Sequence, residues 1–142
     1  MIGYSRIYEL IHLKRRVLML TKHKKKALII GCGIAGPALA LFLKRVGIDA
    51  EIYEARKSSE GYSLSLSCNG LAVLQELGLD QAVLDEGSVV SKWLMGNSKG
   101  KSLGGGVLAG GGLKSVFIKR VPLGNIISDE AERQGIRITN WL

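Results

Sequence analysis

The feature that most constrains this sequence is a set of three glycines in G-x-G-x-x-G spacing: Gly31, Gly33 and Gly36. An apolar stretch of strand character, residues 27–30, comes immediately before them, and a helical pattern of apolar residues spans 34–46. A second strand pattern, residues 50–53, ends at an acid, Glu54. A strand, a glycine turn, a helix and a second parallel strand within about 30 residues make one βαβ unit. The sequence therefore predicts an α/β fold with parallel strands.

Each glycine of this turn has a separate physical task. Gly31 permits a sharp exit from the strand, Gly33 lets the backbone approach a pyrophosphate closely, and Gly36 lets the helix pack tightly on the sheet. The first N–H groups of the helix lack internal acceptors and lie at the positive end of its dipole. The turn therefore favours a dinucleotide-binding site, and a purely structural turn is the alternative.

The acid at the end of the second strand indicates which nucleotide fits. The Glu54 carboxylate can accept hydrogen bonds from a ribose 2′-OH and would repel a 2′-phosphate, which argues against NADP at this site. The glycine spacing itself does not choose between FAD and NAD.

The positive charge of the chain is concentrated at its N-terminus. The net charge is +8, and residues 1–26 hold eight Lys and Arg residues against one acid. We interpret 1–26 as a basic N-terminal extension and residues 27–142 as the folded body, and we expect no nucleic-acid binding. Four apolar residues of the extension share one helical face, so weak contact with a membrane surface remains an alternative: Ile7, Leu10, Ile11 and Leu18. Met19 offers a second start, which leaves open whether residues 1–18 belong to the protein.

Cysteine and histidine usage predicts no metal site. Cys32 and Cys68 have neither ligand nor redox spacing, and His12 and His23 lie in the basic extension without partners at metal-ligand spacing. Reduced thiols are typical of the cytoplasm, so we expect a cytoplasmic protein. The extension lacks the apolar length of a transmembrane span and the pattern of a secretory signal.

The rest of the chain alternates strand and helix patterns. Residues 61–67 predict a strand with Tyr62, Leu64 and Leu66 on its buried face. The predicted helices are one that Asn69 caps and Gly78 ends, one over 80–86, and one over 120–133 with Leu123, Ile126 and Ile127 inward and Gly135 at its end. The other predicted strands are 89–95, 107–108, 115–118 and 136–138. The glycines of 104–112 favour hairpin or meander turns over a phosphate loop.

Three stretches, in order, resemble the N-terminal part of the FAD-dependent monooxygenases of the para-hydroxybenzoate hydroxylase class. They are IIGCGIAGPALALFLKRVGIDAEIYEAR at 29–56, GYSLSLSCNGLAVLQELGL at 61–79 and VFIKRVPLGNIISDEAERQGI at 116–136. Cys68 stands where that family often has proline. The resemblance implies a Rossmann-like FAD/NAD(P)-binding domain, and it selects FAD over NAD as the cofactor.

The resemblance also implies a reaction and a set of cofactor contacts. In such enzymes NAD(P)H reduces the flavin, and a flavin hydroperoxide hydroxylates an aromatic or polyketide-like small molecule. Arg120 matches the arginine that contacts the cofactor, although a solvated helix start is its alternative; Arg56 could contact the adenine or its phosphates, or be a solvated loop charge. The cofactor-binding residues that we expect are Gly31, Gly33, Ile34, Ala35, Gly36, Glu54, Ala55, Arg56 and Arg120. No catalytic residue is assigned.

The family is considerably longer than this chain, and its later Asp-Gly and Gly-Asp motifs have no counterpart here. We therefore expect residues 27–142 to be the N-terminal portion of the FAD-binding domain with part of the β-rich substrate layer. We expect the chain to be a truncated or frameshifted reading frame, or a fragment, and we expect no turnover by the chain alone. The final TNWL departs from the strand pattern. The alternatives are a non-catalytic dinucleotide-binding fragment and a related FAD/NAD-dependent dehydrogenase.

Overall fold

The computed structural model describes residues 25–56, 61–108 and 114–140. Within these ranges the strands are β1 Lys26–Ile30, β2 Asp49–Glu54, β3 Ser63–Leu66, β4 Ser88–Val90, β5 Lys92–Gly96, β6 Ser102–Val107, β7 Ser115–Lys119 and β8 Arg137–Asn140. The helices in the same ranges are α1 Ala35–Arg45, α2 Cys68–Leu77, α3 Asp80–Glu86 and α4 Arg120–Arg133.

A parallel sheet in the order β1-β2-β8 confirms the predicted βαβ unit. The apolar residues Ile29, Ile52 and Ile138 lie in register across its three strands and contribute to the core on which α1 and α4 pack. The opposite face carries Leu28 and Ile30, which are 64% and 74% exposed. Only one face of this sheet is therefore buried by the part of the chain that the structure describes.

A second, antiparallel sheet in the order β3-β7-β4 extends the same core. Its central strand turns Val116 and Ile118 inward, where α2, α3 and α4 pack against it. Leu123 and Ile127 of α4 are fully buried and Ile126 is half-buried, as the helical spacing predicts. The α4 helix contacts both sheets and joins the two halves of the core.

The predicted strand over 89–95 is divided between two sheets, which corrects the single-strand prediction. β4 pairs with β7, whereas β5 pairs with β6 in a separate hairpin. The Asn97 side chain holds the hairpin turn, because its Oδ1 accepts the N–H groups of Lys99 and Lys101 at 3.0 and 2.9 Å. Gly104, Gly105 and Gly106 lie within β6, so the prediction that they form turns is wrong.

Helix bounds agree closely with the sequence patterns, while two local details differ. α3 and α4 have the predicted bounds, and Gly78 ends α2 with a φ of 76°. α2 begins at Cys68 with Ser67 as its N-cap, so Asn69 lies in the first turn and is not the cap. Tyr62 precedes β3 and is 93% exposed, which corrects its predicted burial.

The end of the described chain also departs from the prediction. Thr139 and Asn140 continue β8, in register with Tyr53 and Glu54 of β2. The sequence pattern did not predict a strand at these two residues, and their pairing with β2 stabilises the strand conformation there. The proposed helix of the basic extension, the loop at 57–60, the glycines of 109–113 and the last two residues lie outside the described residues. Within the described ranges no helix is long and apolar enough to cross a membrane.

Replacing Gly36 by alanine is expected to destabilise the fold by about 1–3 kcal/mol or to prevent folding, because the added Cβ would collide with the Gly31 carbonyl oxygen. Alanine's higher helix propensity, about 1 kcal/mol, would act in the opposite direction. Gly124→Ala is the matched control, since a Cβ at that α4 position meets nothing within 4 Å. Urea and thermal unfolding measure the difference. Equal stability of the two variants would contradict the close approach of α1 to β1.

Candidate dinucleotide-binding site

The glycine turn lies at the carboxyl edge of the parallel sheet. The Gly31 N–H donates to the Tyr53 carbonyl oxygen at 2.7 Å, which extends the β1–β2 pairing by one residue. Gly31 then turns the chain with a φ of 104°, a conformation that side chains other than glycine rarely adopt. Because ligands of open α/β sheets bind at the carboxyl ends of the strands, this edge is the expected place for one.

Gly36 and Gly33 differ in what the protein itself requires of them. A Cβ on Gly36 would collide with the Gly31 carbonyl oxygen, so this glycine is needed for α1 to pack on β1. A Cβ on Gly33 would lie 3.7 Å from Arg120 Nη2, which is an ordinary contact. The fold therefore requires glycine at positions 31 and 36, whereas a Cβ at position 33 would fit without disturbing the fold.

The start of α1 is open to an anion. Ile34 is the N-cap residue and makes no side-chain capping bond, and no acid lies in the first helical turn. Ala35, the first residue of the helix, is exposed. The unpaired N–H groups of a helix start and its dipole together favour a negatively charged ligand. Ile34 itself packs against the core, so its contribution to a ligand would come from its backbone.

The Glu54 carboxylate accepts two backbone hydrogen bonds, one of them from the glycine turn. Its Oε2 accepts the Cys32 N–H at 2.6 Å and its Oε1 accepts the Arg56 N–H at 2.8 Å. These bonds lower the pKa of Glu54, the bond from Arg56 contributing most. Each carboxylate oxygen can still accept a second hydrogen bond, so Glu54 can serve a ribose hydroxyl while it braces the turn.

Two neighbours of Glu54 were also expected to contact the cofactor. Ala55 follows directly and is half-buried, while Arg56 is exposed and donates its backbone N–H to Glu54.

Cys32 lies within the turn, and burial raises the pKa of its thiol, with the charges of Glu54 and Glu132 adding to the effect. The thiol is therefore protonated at neutral pH and a poor nucleophile. Among the described residues no three His, Cys, Asp or Glu side chains gather as metal ligands.

Arg120 is brought to the turn from a distant part of the sequence. It is the first residue of α4, and its backbone N–H donates to the Tyr62 carbonyl oxygen at 3.1 Å. Its guanidinium lies beside Gly33, and it forms no salt bridge with the part of the chain that the structure describes. A cation held beside the positive end of α1 is repelled unless an anion lies between them. The geometry therefore favours an anionic ligand here.

Two further positions at this edge were missed by sequence reasoning. Asn140 ends β8 opposite Glu54 in the β2–β8 register, so it lies at the same carboxyl edge of the sheet. Gly61 contacts the Arg120 side chain, as a Cβ at that position would lie 2.8 Å from Arg120 Cδ. A polar residue at a strand end could have indicated Asn140. The sequence gives no local signal for the contact between Gly61 and Arg120.

A cavity of about 240 Å³ lies at the opposite, amino-terminal edge of the sheet. Its lining residues are Lys26, Lys44, Asp49, Ala50, Glu51, Gly135, Ile136 and Arg137. Glu51 pairs there with Lys26 at 2.6 Å and with Arg137 at 3.5 Å. Because this edge holds strand beginnings, the cavity is separate from the candidate site at the glycine turn.

The open βαβ turn, the acid at the end of β2 and the arginine above the turn define a dinucleotide-binding domain. The sequence matches the FAD binding domain family over residues 24–140, so the chain belongs to that family. It corresponds to the N-terminal part of FAD-dependent monooxygenases, and FAD is the family's cofactor. The resemblance seen in the sequence is thereby confirmed.

Two curated relatives each match less than half of the chain. The chain is 36% identical over 70 residues to the FAD-dependent monooxygenase subE of Metarhizium robertsii, covering 47% of this chain and 22% of that protein. It is 41% identical over 56 residues to an FAD-dependent urate hydroxylase of Klebsiella pneumoniae, covering 38% and 15%. The chain therefore spans less than a quarter of either relative.

Solved structures match over a larger share of the chain. A tetrameric form of 2-methyl-3-hydroxypyridine-5-carboxylic acid oxygenase superposes with a TM-score of 0.72 at 26% identity, covering 83% of this chain and 32% of that one. Klebsiella pneumoniae HpxO complexed with FAD and uric acid shares the fold, with a TM-score of 0.67 at 24% identity over 82% of this chain and 31% of that one. The chain thus spans about a third of each structure.

Replacing Glu54 by glutamine should lower the melting temperature in a pH-dependent manner. Because folding lowers the pKa of Glu54 below its ordinary value of 4.5, its carboxylate stabilises the fold fully above that pH. This contribution is lost as the pH falls through the lower pKa of the folded state. The difference in melting temperature between the wild-type protein and Glu54→Gln should therefore shrink below pH 4.5.

Glu130→Gln is the control for this pH series. The hydrogen bond from Arg133 lowers the pKa of Glu130 to about 2, so its contribution should persist to a more acidic pH. Thermal unfolding followed by circular dichroism measures both differences. A Glu54→Gln difference that stays constant through the acid range would show that the charge of the Glu54 carboxylate does not stabilise the fold.

Proposed function

We propose that the chain binds FAD through its ADP half at the glycine turn, as the FAD-binding portion of an NAD(P)H-dependent flavoprotein monooxygenase. The observation that carries this proposal is the bare face of Gly33. It lies at an uncapped helix start, has no steric role in the fold, and faces the Arg120 guanidinium. A close-approaching pyrophosphate accounts for all three features.

The proposed contacts follow from the positions of the side chains and backbone groups. The pyrophosphate would accept hydrogen bonds from backbone N–H groups of Gly33, Ile34 and Ala35 at the start of α1. Gly31 and Gly36 lie beside these residues in the turn. Arg120 would supply the opposing positive charge. Glu54 would accept the ribose hydroxyls, with Ala55 and Arg56 on the adenosine side.

FAD supplies the redox chemistry when it is bound, with NAD(P)H as the transient reductant. The residues of this chain bind and orient the ADP half of the cofactor. We propose a small aromatic or polyketide-like molecule as the substrate of the complete enzyme. The urate hydroxylase and the hydroxypyridine carboxylic acid oxygenase among the similar proteins support this class, as both are named for small heteroaromatic compounds.

We further propose a division of the chain at the start of β1. Residues 27–142 would form the N-terminal portion of the FAD-binding domain, with the antiparallel strands β3 to β7 contributing to a substrate layer. Lys26 already belongs to β1, so the basic extension would end one residue earlier than the charge pattern suggests. We propose a cytoplasmic location, since reduced Cys32 and Cys68 and a supply of NAD(P)H suit it, and no nucleic-acid partner.

The purified chain should retain a flavin absorption band after incubation with FAD and gel filtration, whereas Gly33→Ala should lose most of it. The added Cβ stands where the pyrophosphate must approach, and overpacking of this kind costs about 1–3 kcal/mol. Gly33→Ala should melt like the wild-type protein without FAD, because its Cβ makes only an ordinary contact with Arg120.

Gly124→Ala controls for the general effect of adding a methyl group, since its Cβ meets nothing within 4 Å. This variant should keep its flavin. A folded wild-type chain that retains no flavin, or a Gly33→Ala variant that retains as much as Gly124→Ala, would overturn the proposed site.

Glu54→Ala should weaken ADP and FAD binding by about 1–3 kcal/mol, because it removes charged hydrogen bonds to the ribose and the brace of the turn. Isothermal titration calorimetry measures the change. Glu130→Ala, which removes an exposed ion pair with Arg133 on α4, should leave the affinity unchanged. Equal affinities of both variants would show that the ribose is not held at Glu54.

A further inference from the structure

The position of the Arg120 side chain depends on a contact made far from the glycine motif. β3 and β7 pair with Ser63 opposite Lys119, and the pairing continues into the hydrogen bond from the Arg120 N–H to the Tyr62 carbonyl oxygen at 3.1 Å. This register places Gly61 directly against the Arg120 side chain. Two residues 59 positions apart in sequence thereby meet beside the candidate site.

The contact requires that position 61 lack a side chain. A Cβ on Gly61 would lie 2.8 Å from Arg120 Cδ, 3.2 Å from its Cβ and 3.4 Å from its Cγ. The three atoms form the base of the side chain, so they cannot move aside without moving the guanidinium that they carry. That guanidinium stands next to Gly33, 3.7 Å from the position of a Cβ there.

We propose that Gly61 is a positioning residue for the cofactor site: because it has no side chain, the aliphatic part of the Arg120 side chain can pack directly against its backbone, and this packing holds the guanidinium over the glycine turn. The inference rests on the proposed function, because the guanidinium matters there only if a phosphate binds. Gly61 acts through Arg120 and needs no contact with the ligand. Side chains at position 61 would turn the guanidinium away from the turn.

A double-mutant cycle tests this inference with ADP and FAD as the probes. The variants are Gly61→Ala, Arg120→Ala and the pair together, with Gly124→Ala as the control for adding a methyl group. Arg120→Ala should weaken ADP binding by about 10- to 150-fold, the range for one charged hydrogen bond. Gly61→Ala alone should weaken it by more than about fivefold, but by less than about twofold in the Arg120→Ala background.

The salt dependence of binding provides a second readout that a merely structural role would not change. An ionic contact weakens as salt screens it, so wild-type affinity for ADP should fall between low and high ionic strength. Both Gly61→Ala and Arg120→Ala should reduce that dependence to a similar extent. Gly124→Ala should retain it.

The outcomes separate this inference from the proposed function. If the wild-type chain binds neither ADP nor FAD, both fail. If it binds them and Glu54→Ala weakens binding, but Gly61→Ala acts equally in both Arg120 backgrounds or keeps the wild-type salt dependence, only the inference is overturned. Because Gly61 has a φ of 156°, alanine there also strains the backbone, equally in both Arg120 backgrounds. A smaller loss of melting temperature, or recovered folding, for Gly61→Ala in the Arg120→Ala background supports the contact, and an equal loss in both backgrounds overturns the inference.

Discussion

The whole arrangement depends on how closely α1 approaches the end of β1. No Cβ fits between Gly36 and the Gly31 carbonyl oxygen, so the helix begins almost on top of the strand from which it emerges. This contact directs the helix start toward the carboxyl edge of the parallel sheet, where β2 also ends. Glu54 can then reach the Cys32 N–H at 2.6 Å, and the acid and the turn become one unit.

The charges at this edge favour an anionic ligand. The start of α1 and the guanidinium of Arg120 are both positive and lie side by side, which is unfavourable for the protein alone. The Glu54 carboxylate also stays ionised, because two backbone N–H groups bind it and lower its pKa, and these hydrogen bonds hold it at Cys32 and Arg56. An anion between the helix start and the guanidinium removes the repulsion. Binding of an anion at the proposed site would thus relieve a local electrostatic cost of the fold, as is common at functional sites.

Features that depend on residues close in sequence, such as helix bounds, could be predicted. Features that depend on which strands pair could not. α3 and α4 match their predicted bounds because apolar spacing and end signals act over a few residues. The division of 89–95 into β4 and β5 depends on which strand each half meets, and no local pattern records it. The glycines of β6 were predicted to form turns because the sequence does not show what lies opposite them. In the structure Gly106 lies against the Trp93 indole across the hairpin, where a Cβ would not fit.

The candidate site shows the same division. The glycine turn and Glu54 lie within one local unit, so their role could be proposed from spacing. Arg120 could be proposed only from a resemblance, since the β3–β7 register brings it to the turn. Gly61 could not be identified from the sequence, because its proposed role depends on its contact with the Arg120 side chain and not on its own chemistry.

Binding a flavin and using it for hydroxylation place different demands on a protein. The contacts that we propose for the ADP half come from the turn, from Glu54 and from Arg120, all within the described residues. Hydroxylation also requires that water be kept from the reduced flavin, which needs an enclosed site. Among the described residues, a cavity of about 240 Å³ lies at the opposite end of the sheet from the glycine turn, and Leu28 and Ile30 leave an apolar face uncovered. The proposed site would therefore hold the ADP half mainly through ionic contacts and hydrogen bonds.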